Sequence, residues 1–469
     1  MPRGAVPDVY ADGRWRSAGE IDAAARAWRV AVLDALGDRP RVVATALPAS
    51  PEGVALFAAL TSLPFPPVLL SPDASAWPAT PLPPGTAIVL LPSLAGLAAA
   101  AKARGWGVTV LPEHHDGRAP DVAPLSGPGV VTFTSGSTGA PKPVFRPLPA
   151  LLPGIADRCA ALGIAEGDGI IVGVTLVHGQ GMNMMIAAML LGGPLGFLPP
   201  VNHRAALATL AMPAFRCWRA TPHFADVLGR CALAGPAVAP PICVISSPVT
   251  QGVFDAFRER FGVPLRQSYA SSETGPIALD HRPAADVRPG TVGWPLPRVE
   301  VSIGDAPGRT LPAGEAGRIW VRSPFLMGGY GFPPELERPG MLDGWWPTRD
   351  LGRCQADGQL ALAGRMDDCI RTRDGRLVNL AAIADIIRAL ASVRGVAVVP
   401  LRGSAGASFG AVVECDARVA PAAFRSRLSD ALPPWARPRK VAVVSALPTL
   451  ANGKPDRTAC LAALGEQAP

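Results

Sequence analysis

The chain has 469 residues, 17% charged and 49% hydrophobic, which excludes a disordered polymer and is long enough for more than one core. Its 44 basic and 37 acidic residues leave a net charge of +7; the excess is mild, no long Lys/Arg run accompanies it, and no nucleic-acid partner is expected. The 53 prolines and 50 glycines are dispersed without a repeat, which points to many loops and not to a fibre.

Ile21, Trp28 and Val32 lie near one face of a predicted amphipathic helix over 21–36. Strands are expected over 41–47, 67–70, 87–91 and 108–111, with helices over 54–63 and 94–104 among them. That alternation predicts a parallel α/β sheet. The apolar run Val130-Val-Thr-Phe133 then leads into Thr134-Ser-Gly-Ser-Thr-Gly139, closed by Pro141 and Lys142. Glycines and small hydroxyl residues let backbone N–H groups approach a phosphate, and Lys142 adds a point charge. The stretch is not a Walker A loop, because Gly139 is followed by Ala-Pro-Lys where that motif needs Lys-Ser/Thr. Taken alone, it also reads as an ordinary Ser/Gly turn between strands.

This stretch resembles the phosphate-binding loop of the adenylate-forming superfamily, which includes acyl- and aryl-CoA synthetases, acyl-AMP ligases and peptide-synthetase adenylation domains. The family's loop reads Ser/Thr-Ser-Gly-Ser/Thr-Thr-Gly-x-Pro-Lys-Gly; Thr134 to Lys142 match it, and Pro143 stands where glycine is usual. The resemblance implies nucleotide binding by Thr134, Ser135, Gly136, Ser137, Thr138, Gly139 and Lys142, with four further motifs to follow in order.

A helix is expected over 151–162. Residues 169–200 carry no Asp, Glu, Lys or Arg, but His178-Gly-Gln-Gly181, Asn183 and Gly192-Gly-Pro194 interrupt the run. It reads as strand, loop, buried helix and strand, not as a membrane span. The resemblance places His178 near the substrate carboxylate as a catalytic-site residue, with Gly181, Met182, Met185 and Ser246 bordering the acid pocket. Helical methionines are otherwise core residues. A strand over 241–246 ends in Ser246-Ser-Pro248 where the family usually has Gly-Ala/Gly-Pro. The added hydroxyls imply a smaller or more polar pocket, with Ser247 against adenine. A helix over 253–261 sets Phe254, Phe257 and Phe261 at core spacing.

Tyr269-Ala-Ser-Ser-Glu273 resembles the family's Tyr-Gly-x-Thr-Glu. Tyr269 and Ala270 would face adenine, Ser272 the α-phosphate, and Glu273 would bind Mg²⁺ through a hard carboxylate oxygen. The segments 292–297 and 314–322 and the turn at Gly328-Gly-Tyr330 are read as structural. Thr348-Arg-Asp-Leu-Gly352 resembles Thr-Gly-Asp-Leu-Gly, so Asp350 would accept both ribose hydroxyls, with Arg349 in place of glycine. Gly364-Arg-Met-Asp-Asp-Cys-Ile-Arg371 resembles the family's hinge, with Arg365 on the nucleotide and Asp367 as pivot. Asn452-Gly-Lys-Pro-Asp-Arg457 resembles the family's closing motif, in which Lys454 bridges carboxylate and ATP.

The expected fold class is therefore α/β. A large adenylating domain over 1–364, with mixed and parallel sheets and a β-rich subdomain, precedes a small mobile α+β domain over 365–469. The resemblance implies ATP and Mg²⁺, a small or aromatic carboxylic acid as partner, and a thiol acceptor: CoA or the phosphopantetheine of an acyl carrier protein. A non-thiol acceptor such as an amine, and a non-catalytic nucleotide-binding protein, are the alternatives. The eight cysteines are scattered without a CxxC pair, so neither zinc nor a disulfide framework is expected. A cytoplasmic monomer or homodimer fits, and the N-terminus lacks a signal-peptide pattern.

Overall fold

Buried apolar runs a few residues long, too short for helices, dictate the architecture. In a computed structural model the chain is described over residues 5–36, 42–77, 82–113, 121, 123–134, 141–198, 202–232, 237–246, 249–366, 369–371, 377–388, 390, 392–401, 408–415, 421–449 and 455–466.

The strands Val43–Ala46 and Pro67–Leu70 are buried at every position, the signature of parallel strands covered on both faces. With Ala87–Leu90, Gly107–Val110 and Gly129–Phe133 they form the parallel part of an eight-stranded sheet. Helix Pro51–Leu60 connects the first two of these strands and is buried from Gly53 onward. Ser50 accepts a hydrogen bond from the Gly53 amide and Pro51 takes the first turn, a strong helix start. After Phe133 the sheet changes direction. Pro143–Pro147 returns antiparallel to Gly129–Phe133, and Gly329–Phe332 and Glu335–Glu337 complete that edge. The sheet is thus mixed, parallel from Gly107–Val110 to Gly129–Phe133 and antiparallel beyond, in keeping with the expected mixed and parallel sheets.

A nine-stranded sheet runs in the order Trp294–Pro295, Gly275–Leu279, Leu265–Ser271, Ile242–Ile245, Phe215–Ala220, Gly169–Val172, Leu195–Phe197, Val9–Ala11, Arg14–Arg16. Its interior is parallel and its two ends are antiparallel hairpins. Trp218 and the three phenylalanines Phe254, Phe257 and Phe261 of helix Gln251–Phe261 fill one core face. The uncharged stretch resolves into strand Gly169–Val172, helix Gly179–Leu191 and strand Leu195–Phe197. Among the described residues no helix is long and apolar enough to cross a membrane. The eight cysteines are free.

Strands Glu300–Ile303, Gly317–Arg322, Trp346–Cys354 and Leu360–Arg365 make a four-stranded sheet. The chain divides into two compact units: Met1–Ser302 with Trp320–Pro347 and Cys354–Ala361, and Ile303–Ile319 with Thr348–Arg353 and Leu362–Pro469. In the second, Ser408–Cys415 is central, antiparallel to Val393–Leu401 and parallel to Lys440–Val444. Its side chains alternate between two cores. Phe409, Ala411, Val413 and Cys415 meet helices Leu380–Arg388 and Pro421–Ala431, while Val412 meets Cys460 and Leu464 at helix Arg457–Ala463.

Candidate active site

Two hairpin ends of the first unit carry the predicted nucleotide residues. At the first, the Thr134 amide donates to the Lys142 carbonyl at 3.0 Å. The Lys142 amide donates to the Thr134 hydroxyl, also at 3.0 Å. Ser135, Gly136, Ser137, Thr138 and Gly139 lie outside the described residues, between these two. Pro143, the departure from the family motif, is the first residue of its strand, a position that tolerates proline.

The second hairpin joins Leu265–Ser271 to Gly275–Leu279. Its register shifts between Tyr269 and Ala270, and such a bulge re-aims side chains beside a site. Tyr269 is buried. The Ser271 hydroxyl accepts from the Glu273 and Thr274 amides at 3.2 and 3.1 Å, which fixes the tight turn carrying Ser272 and Glu273.

Side chains distant in sequence hold this turn and one another. The Tyr330 phenol donates to Glu273 Oε1 at 2.8 Å. The Lys142 ammonium lies over the Tyr330 ring, 5.2 Å from its centroid, a cation–π distance. Arg146 is 3% exposed; its Nη1 donates to the Ser272 carbonyl at 2.8 Å and its Nη2 to the Phe325 carbonyl at 3.0 Å. Burial pulls the Arg146 pKa down to about 10, against the attraction of Glu273. Sequence reasoning missed Arg146, although an arginine within the apolar run Val144-Phe-Arg146 was a usable signal. It also treated Tyr330 as structural, whereas the ring touches both charged groups of the predicted site.

His178 is exposed at the N-cap of helix Gly179–Leu191. Gly181 leaves no room for a Cβ against the Thr175 carbonyl, so only glycine brings the helix this near the preceding loop. Met182 and Met185 are 1% and 0% exposed and pack within the fold. The Ser246 hydroxyl accepts a hydrogen bond from Arg219 and stands 3.4 Å from the Ser268 hydroxyl. Ser247 lies outside the described residues.

In the second unit, Thr348 Oγ donates to the Ile319 carbonyl at 2.7 Å and accepts from the Asp350 amide at 3.2 Å. Arg365 Nε is 3.5 Å from Asp350 Oδ1. With side chains 41% and 22% exposed, that pair contributes at most about 1 kcal/mol. Arg349 is exposed while Thr348 is buried and Asp350 half-buried, so along the strand it leaves on the face opposite Asp350. Gly364 has φ of 123°, and a Cβ there would strike the Asn379 amide. Asn379 donates to the Ala363 carbonyl at 2.6 Å and accepts from the amides of Ala381 and Ala382, capping helix Leu380–Arg388. Asp367 and Lys454 lie outside the described residues; Thr449 and Pro455, flanking Lys454, pair in an antiparallel bridge.

The mixed α/β fold, with its two large sheets and a smaller second unit, is that of an adenylate-forming enzyme. The chain belongs to the AMP-binding enzyme family, whose model matches residues 88–331, and that family uses ATP. A 2-succinylbenzoate–CoA ligase of Enterococcus faecalis is 25% identical over 344 residues, 69% of this chain and 67% of that protein. A tenellin synthetase of Beauveria bassiana is 28% identical over 396 residues, 73% of this chain, and the match spans 9% of that longer protein. The structure of an amide bond synthetase from Marinactinospora thermotolerans superposes with a TM-score of 0.79 at 25% identity, covering 97% of this chain and 96% of that one.

Proposed function

We propose that the protein activates a small carboxylic acid with ATP as an acyl- or aryl-adenylate and then transfers the acyl group to a thiol, of CoA or of a carrier-protein phosphopantetheine. What supports this most is the row Lys142–Tyr330–Glu273, a cation for phosphate oxygens and a carboxylate for a metal held by one ring. Among the described residues no cluster of three or more His, Cys, Asp or Glu side chains can hold a metal. A site with one protein carboxylate suits Mg²⁺, which keeps waters and phosphate oxygens as its other ligands. When bound there, Mg²⁺ neutralises phosphate charge.

In this reading the acid lies in a pocket bordered by His178, Gly181, Met182, Met185 and Ser246, with Ser247 against adenine. Its carboxylate attacks the α-phosphorus of ATP and pyrophosphate leaves. Repulsion between carboxylate and phosphate opposes the approach. Lys142, the hydroxyls of Thr134, Ser135, Ser137, Thr138 and Ser272, and the amides of Gly136 and Gly139 hold the phosphates. Arg146 adds positive charge behind the Ser272–Glu273 turn. Tyr269 and Ala270 face adenine, and Asp350 and Arg365 hold the ribose. Lys454 draws the two reacting anions together, with Asp367 as the hinge between half-reactions. Loss of one such charged donor costs about 3–4 kcal/mol of barrier. A thiol then attacks the acyl carbonyl and AMP leaves; no enzyme nucleophile is required.

An amine acceptor is the second reading, favoured by the likeness to an amide bond synthetase. ATP–pyrophosphate exchange over a panel of aryl and aliphatic acids, without acceptor, tests the first step. Exchange with one class of acid is expected, and folded protein silent with all of them would refute it. Product analysis with CoA, phosphopantetheinylated carrier protein and amines then separates the acceptors.

A further inference from the structure

The strand Phe215–Ala220 lies inside the nine-stranded sheet, paired on both sides, yet it carries two arginines. Arg216 reaches the surface and meets Asp168 at 3.3 Å. Arg219 does not: it is 1% exposed and among the largest fully buried side chains. Its Nη2 donates to the Ser246 hydroxyl, while Nε and Nη1 have no hydrogen-bond partner among the described residues. Arg158, on helix Leu148–Ala161, is 2% exposed with Nε and Nη2 likewise without partners. Among the described residues neither guanidinium has an acidic side chain in an ion pair. Cys159 and Cys217 stand nearby, and burial pushes both thiols up, Cys217 to about 12, so they remain neutral. Burial and the Arg158 charge lower the Arg219 pKa to about 9, which still leaves a cation at neutral pH.

A buried cation without a counter-charge costs several kcal/mol, and its orphaned donors add to that. An anion delivered to the site relieves both. The deliverer is indicated by position, because Arg219 is tied to Ser246, the turn residue that borders the acid in the reading above. The Ser268 hydroxyl, 3.4 Å from Ser246 Oγ, already donates to the Ile245 carbonyl at 3.0 Å and holds this corner in place. We propose that Arg219, with the Ser246 hydroxyl turned to donate, binds a second carboxylate of the acid, so that the protein selects dicarboxylic acids. This rests on the adenylation reading and names its substrate class.

The test compares dicarboxylic acids with monocarboxylic acids of matched length and ring content, in ATP–pyrophosphate exchange, for the wild type, Arg219→Met and Ser246→Ala. The wild type is expected to favour the diacid roughly hundredfold or more in kcat/KM, since a site built for a polar group rejects the analogue lacking it. In Arg219→Met the ratio should fall towards one while the melting temperature holds or rises. Ser246→Ala should lower the same ratio, and carries the test if Arg219→Met does not fold. Equal use of mono- and diacids by the wild type, or an unchanged ratio in a folded Arg219→Met, overturns the proposal. Thermal-shift titration with the diacids alone reads the subsite without turnover. An Arg219-dependent shift in protein silent for exchange supports the subsite and removes the adenylation reading; exchange confined to monoacids removes the subsite alone.

Discussion

The Tyr330 phenol donates a 2.8 Å hydrogen bond to Glu273 Oε1 while the same ring lies beneath the Lys142 ammonium. One side chain thus touches both charges of opposite sign to which the proposed mechanism assigns phosphate and metal. A hydrogen bond to a charged group is worth about 1.5–3 kcal/mol. Tyr330→Phe should therefore weaken exchange by roughly 10- to 100-fold and raise the Mg²⁺ concentration for half-maximal rate. A Mg²⁺ titration of the exchange rate checks this; an unchanged half-point would reduce Tyr330 to packing.

Removal of either charge should cost more than removal of the ring hydroxyl. Glu273→Gln and Lys142→Ala are each expected to lower the exchange rate by about 10²–10³. Because the proposed mechanism sets both on one group of phosphates, the double variant should lose less than the product of the two. Steady-state exchange kinetics of the four proteins give the coupling directly.

Asn379 caps helix Leu380–Arg388 and anchors the Ala363 carbonyl beside Gly364. Asn379→Ala should destabilise the second unit by about 1 kcal/mol for the lost cap, with more for the freed carbonyl. Urea unfolding followed by hydrogen exchange in residues 380–388 is the measurement. Gly364→Ala, at φ of 123°, should be the more damaging of the two.

Burial raises the Cys217 pKa from its ordinary 9.0 to about 12. Between these values the unfolded thiol loses its proton and the folded one keeps it, so the native state binds more protons and stability falls as pH rises. The contribution is fully present below pH 9 and is lost towards pH 12, with a slope near 1.4 kcal/mol per pH unit. Cys217→Ala should remove that slope from the alkaline limb. Denaturant unfolding from pH 8 to 11 for both proteins tests the sign.

Local patterns carried much of this fold. Strands such as Pro67–Leu70 and helices such as Gln251–Phe261 announce themselves by apolar runs, periodicity and caps. What stayed hidden depends on distant partners. Pro143–Pro147, bounded by prolines, reads as loop, and only its neighbours Gly129–Phe133 and Gly329–Phe332 make it a strand. The same holds for the site. Motif spacing singled out Lys142, Glu273 and Asp350 as candidates, but the contacts of Tyr330, Arg146 and Arg219 are with residues far along the chain, and no window of sequence shows that. Helix Pro222–Arg230 is different: Thr221 caps it and Pro222 opens it, so its start signal was legible and passed unused.

The short strand Val9–Ala11 pairs in parallel with Leu195–Phe197. During synthesis it emerges well before its partner and must wait for that partner to leave the ribosome, so the end of the nine-stranded sheet closes late. Until then the hairpin Val9–Arg16 has no sheet to join, and Leu195–Phe197 offers an open row of amides and carbonyls to any other chain. Trimming or crowding residues 5–16 would therefore harm yield before it harmed activity, leaving soluble protein competent and the remainder in aggregates.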